Sequence, residues 1–123
     1  MNNILAVFIG GGLGSIVRYG ISGFTMEKFK TIFPIATLVS NILSCIILAA
    51  TIAFLSQRTD VNPTWKMFII TGFCGGFSTF STFSYETVEL IRNGNNMYAI
   101  ANILLSVFVC IGLVFMIAKN QPA

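Results

Sequence analysis

The stretch Gly72-Phe73-Cys74-Gly75-Gly76-Phe77-Ser78-Thr79-Phe80-Ser81-Thr82-Phe83-Ser84 holds the densest chemistry in the sequence. Phe77, Phe80 and Phe83 recur every three residues and alternate with small hydroxyls. An aromatic ring has a negative face and a positive edge. Ring edges beside Ser and Thr O–H groups suit a small anion, and they hold no fixed charge to trap it. Conduction needs binding strong enough to admit an ion and weak enough to release it. Phenylalanine stripes also fill space in ordinary membrane helices, so packing is the competing role for these rings. Three glycines within five residues, Gly72, Gly75 and Gly76, invite a break in the helix that carries them. A break frees carbonyls, and freed carbonyls coordinate cations in the broken helices of transporters. Glu86 stands one turn beyond Thr82 and is placed to end the polar track; Glu89 is expected to be solvated at an interface.

Polar residues recur at helical spacing elsewhere. Thr37, Ser40, Asn41 and Ser44 fall at i, i+3, i+4 and i+7, one face of a helix. Asn102, Ser106 and Cys110 repeat the idea at four-residue intervals. In lipid such a stripe either hydrogen-bonds a neighbouring helix or lines a wet path. The bulky amide of Asn41, near the middle of its segment, points to path lining. Gly10 with Gly14, and Gly11 with Ser15, are small-xxx-small pairs that let helix backbones approach closely. Arg18 follows one turn later and is either an interface anchor or a charge facing a vestibule.

These groups need membrane helices to position them. The chain has 123 residues, 55% hydrophobic and only 9% charged, where soluble domains carry about 25% charged residues. A crossing helix needs about 20 mostly apolar residues. Residues 4–24, 31–57, 67–85 and 98–118 each contain such a run, joined by short connections. We therefore expect an all-α membrane protein of four transmembrane helices, the third broken, forming one domain over residues 1–123. Extramembrane catalysis is not expected, and the first segment lacks the basic start and small-residue site of a cleavable signal. The absence of histidine excludes an imidazole proton relay. Cys45, Cys74 and Cys110 are too far apart in sequence for a local metal motif, and read as small core residues. The net charge of +3 is too dispersed for a nucleic-acid partner.

Lys and Arg placement sets membrane orientation. With four spans, Arg58, Lys66 and Lys119 lie on one side, and Lys28, Lys30 and Arg92 on the other. Three against three gives no bias, so the chain is expected to insert both ways round. Opposite copies can then pair as an antiparallel, dual-topology homodimer, the two-chain counterpart of an inverted repeat. Alternatively Arg18 decides a single orientation.

Gly12-Leu13-Gly14 with Arg18-Tyr19, then Thr37-Leu38-Val39-Ser40-Asn41, then the Gly72 to Ser84 motif resemble the Fluc (CrcB) family of fluoride channels, over essentially the whole chain. That resemblance implies an antiparallel homodimer in the bacterial inner (plasma) membrane, letting fluoride leave the cell passively and so protecting it from fluoride. It implies a structural Na⁺ at the dimer centre, held by the backbone carbonyls of Gly75 and Ser78. Ser78 stands where the family usually has threonine, which matters little for a carbonyl ligand. The family's phenylalanine box maps to Phe80 and Phe83 and its pore asparagine to Asn41. Ser81 and Thr82 map to a hydroxyl track leading toward Glu86, with Thr37 and Ser106 as lesser pore contacts. A small multidrug-resistance-type transporter is the alternative, but such antiporters need an intramembrane carboxylate, and the first span has none. A non-transporting assembly subunit would account for the glycines but not for the polar third span.

Overall fold

The computed structural model describes residues 2–58 and 60–119. Among these residues the regular structure is helical throughout, and four stretches are long and apolar enough to cross a membrane: Asn3–Lys28, Ile35–Leu55, Pro63–Arg92 and Asn96–Ala118. The protein is a multi-pass membrane protein.

Local chemistry sets the boundaries. Helix α1 (Asn3–Lys28) starts where the Asn2 side chain accepts the Leu5 N–H at 2.7 Å, and Lys28 closes its last turn, where a cation complements the helix dipole. Helix α2 (Ile35–Leu55) begins directly after Pro34. Helix α3 (Pro63–Lys66) opens with Asn62 as N-cap and proline in its first turn. It widens into a π-helical stretch, Met67–Cys74, followed by a single α-turn, α4 (Gly75–Phe77). Two extended residues intervene, Ser78 (φ −83°, ψ 157°) and Thr79 (φ −150°, ψ 119°), before α5 (Phe80–Arg92). Gly94, with φ 80°, makes the turn into α6 (Asn96–Ala118).

The break therefore lies beyond the glycines rather than at them. Gly75 and Gly76 are helical, and the glycines serve close packing instead. A Cβ on Gly14 would strike the Phe73 carbonyl, and one on Gly76 the Gly11 carbonyl. The π stretch and α4 thus lie directly on α1, as the small-xxx-small pairs of the first span require. Phe77 precedes the break; it is buried and edge-on to Phe73, with centroids 5.6 Å apart, so this ring of the stripe belongs to the core. After the break α5 moves to α6, and α2 packs against α6 as well. The core is thin and built of small groups such as Ala6, Ala49 and Ala99, while Phe8, Phe24, Phe108 and Phe115 point outward. In water that distribution would be unstable. In a bilayer, lipid tails solvate the large apolar side chains, and packing between helices rests on small residues.

Candidate functional site

Two extended residues at membrane depth leave backbone groups that lipid cannot satisfy. Asn41 on α2 meets that need. Its Oδ1 accepts the Thr79 N–H at 2.8 Å and its Nδ2 donates to the Thr79 carbonyl at 3.4 Å. The Thr79 hydroxyl then caps α5 by accepting the Thr82 N–H at 3.2 Å. On the other side of the break, the Cys74 carbonyl accepts from the Ser78 N–H (3.0 Å) and the Ser78 and Ser44 hydroxyls (both 2.9 Å). The Gly76 carbonyl accepts from Arg18 Nε at 3.1 Å and from the Ser15 hydroxyl at 3.5 Å. Arg18 therefore turns inward: its guanidinium sits at the carbonyl end of the interrupted helix, where a cation is favoured.

These substitutions have a consequence for two other carbonyls. In an unbroken helix the Thr79 N–H would donate to Gly75 and the Thr82 N–H to Ser78. Asn41 takes the first donor and Thr79 the second. The carbonyls of Gly75 and Ser78 are thereby deprived of their helical donors. Gly75 is exposed on the face away from α1, and a Cβ there would meet nothing within 4 Å.

Beside the break lies a cavity of about 250 Å³ whose walls include Asn41, Cys45, Thr79, Phe80, Phe83 and Ser106, and no lining residue is charged. The Phe80 and Phe83 rings are 5.7 Å apart at 44°, and Phe80 is 78% exposed, standing clear of its own chain. Behind Phe83 a relay of hydrogen bonds fixes α6 on α5. Ser106 donates to Asn102 Oδ1 (3.4 Å), Asn102 Nδ2 to the Thr87 hydroxyl (3.0 Å), and Thr87 to the Phe83 carbonyl (2.8 Å). Asn102 is thus an interhelical clamp. Ser81 is exposed in the first turn of α5, 3.4 Å from the Thr79 hydroxyl, and Thr82 is half-buried beside it.

Further along α5, Glu86 opens on a second cavity, about 270 Å³, that reaches Ser22, Thr25, Phe33 and Asn93. The buried Thr37 faces its carboxyl, whose Oε1 is buried without a hydrogen-bond partner. Glu86 lies six residues inside the end of α5, about 9 Å by helical rise, deeper than its expected place at the span's end. Glu89 does reach the interface, where Arg92 lies 3.4 Å away. Asn41, Phe80, Phe83 and Ser106 are thus brought to one cavity; Ser81 and Thr82 follow Phe80 in the first turn of α5, and Glu86, faced by Thr37, opens on the second cavity.

Thr79 and the inward role of Arg18 were not anticipated. Thr79 carried a signal, a hydroxyl residue immediately before a new helical run; Arg18 carried none that distinguishes a carbonyl partner.

Residues 5–118 match the family described as CrcB-like protein, Camphor Resistance (CrcB). The chain is 48% identical over 106 residues to the fluoride-specific ion channel FluC of Serratia proteamaculans, covering 86% of this chain and 83% of that one. It is 48% identical over 113 residues to the FluC of Pyrococcus horikoshii, covering 92% and 90%. The FluC of Escherichia fergusonii is 41% identical over 123 residues, with 98% and 96% covered. With its glycine-packed first span and interrupted third, the chain belongs to the CrcB-like family.

Proposed function

We propose that this protein is a fluoride-selective channel of the bacterial inner membrane, through which fluoride leaves the cell passively. The observation that carries the proposal is the uncharged cavity of amide, hydroxyl and aromatic edges beside the break, in relatives of a fluoride-specific channel. Fluoride is small and strongly hydrated. The hydroxyls of Ser81 and Thr82 can replace part of that water, while Ser106 lines the wall, and the edges of Phe80 and Phe83 add weak positive potential without capturing the ion. Glu86, with the buried Thr37 facing it, stands on the second cavity, toward which the path leads.

The functional unit is an antiparallel homodimer in lipid. Ser81, Gly75 and the ring of Phe80 are exposed on one chain. A hydroxyl and a bare carbonyl facing hydrocarbon are costly, and a second copy covers them. The balanced loop charges supply that copy in opposite orientation. The two carbonyls stripped of their helical donors, Gly75 and Ser78, are hard oxygen ligands fit for Na⁺. Contributed by both copies, they would hold the ion, which when bound supplies a fixed positive charge between the two breaks. The chain's own part is to keep those carbonyls free, through Asn41 and Thr79.

Reconstitution in liposomes tests the function. Fluoride should be released down its gradient far faster than chloride; retention of fluoride, or equal leakage of both halides, would refute the channel. Proton-coupled export of a cationic drug instead would revive the transporter alternative. For orientation, an Asp60→Cys substitution in a chain whose own cysteines are replaced by serine should be labelled from both sides of the membrane. Labelling from one side alone would exclude dual insertion.

A further inference from the structure

We propose that Cys45 and Cys110 together form a binding site for a soft, two-coordinate monovalent cation, Cu(I) or Ag(I), in the wall of the aromatic cavity, and that occupying it closes the anion path. The second half of this rests on the channel function above; the first half does not. Both thiols are free and half-buried. They come from different helices, α2 and α6, which pack against each other, and both thiols stand in the wall of one cavity. Each is one turn from a candidate pore residue, Cys45 from Asn41 and Cys110 from Ser106, and all four line the same cavity with Phe80 and Phe83.

The ligand set selects the metal. Tetrahedral zinc needs four protein ligands in a structural site and three in a catalytic one. Among the described residues no group of three or more His, Cys, Asp or Glu exists. Two thiols and nothing else suit a soft ion that accepts two ligands, and thiolates favour Cu(I) among the common metals. Each thiol gives up one proton to water as the metal–sulfur bonds form, so two protons are released for each cation bound. The product, one monovalent cation between two thiolates, carries a net charge of −1. A neutral cavity thereby becomes negative at the wall that fluoride must pass. Repulsion and lost volume act in the same direction.

The test uses Ag⁺, added as silver nitrate in chloride-free medium, on the whole reconstituted protein. Two readouts run in parallel: silver retained per chain after gel filtration, and the ratio of fluoride efflux with and without silver. The wild type should retain one Ag⁺ per chain, and efflux should fall at least about tenfold and recover with dithiothreitol. Cys45→Ser and Cys110→Ser should each abolish retention and bring the efflux ratio within about twofold of one. Cys74→Ser should respond as the wild type does. If the serine variants fail to assemble, methanethiolating the wild-type thiols must block retention in the same way. Absence of retention in the wild type, or retention that survives loss of both thiols, overturns the site. Retention with unchanged efflux overturns its placement on the anion path. Protein that binds silver through this pair yet releases no fluoride even without it supports the site and counts against the channel.

Discussion

Ahead of the break, the third span rests on α1 backbone to backbone: Gly72 and Gly76 lie against Gly10 and Gly11, and a Cβ on Gly76 or Gly10 would strike the facing backbone. Past the break, α5 is held to α6 by a side-chain hydrogen bond from Asn102 to Thr87, with Ser106 bracing Asn102 from within α6. One half is fastened by shape, the other by a polar side-chain contact. The lesson is that a single span can change both its partner and its mode of attachment, provided that something satisfies the backbone where the change occurs. Asn41 does so. The shape-fastened half should tolerate no added carbon toward α1, and the polar half should tolerate bulk but not the loss of a donor.

Gly76→Val should break the first half outright. Its Cβ meets the Gly11 backbone, which cannot move aside as a side chain would. The expected cost is about 3 kcal/mol or more, seen as failure to obtain monodisperse protein. Its neighbour sharpens the point: Gly75→Ala adds nothing to contacts within the chain, so any defect should appear in dimer cross-linking. Monodisperse Gly76→Val protein would show that the two helices are less closely apposed than described.

Asn41→Leu comes next. It preserves bulk but leaves the Thr79 N–H and C=O unsatisfied, at about 1–3 kcal/mol for each group. Thermal unfolding should shift down, and fluoride efflux should fall at least about tenfold. Unchanged efflux would mean that the break holds itself. Phe80→Ile should scarcely alter the fold of the single chain, because the ring is 78% exposed there, yet it should lower fluoride flux; normal flux would reduce the ring to packing. A double-mutant cycle on Thr87→Val and Asn102→Leu should give a coupling of about 0.6–1.7 kcal/mol. Zero coupling would deny the polar half its fastening. The smallest effect belongs to Arg92→Ala: its partner Glu89 lies 3.4 Å away at an exposed helix end, and the loss should stay below about 0.5 kcal/mol.

The spans themselves were legible, because long uncharged apolar runs admit one interpretation. The glycine pairs of α1 were legible too, though their counterparts in the third span were mistaken for the break. Glycine count alone does not separate close approach from chain interruption. The decisive feature was Thr79 and its partner thirty-eight residues earlier, and no local pattern links Asn41 to that N–H. The polar stripe of α2 was visible as one face, but which members bond a neighbour and which line a path depends on distances between helices. For Asn41 the amide bonds the neighbouring span and also borders the cavity beside the break.

Asn41 and Thr79 belong to the same chain, and that bears on the order of events in biosynthesis. An interruption needing a second subunit for its hydrogen bonds would leave each newly inserted chain with raw backbone in hydrocarbon until a mate arrived. Here the repair is supplied in cis. A nascent protein can finish its third span on leaving the insertion machinery, without waiting for a partner to complete its backbone hydrogen bonds.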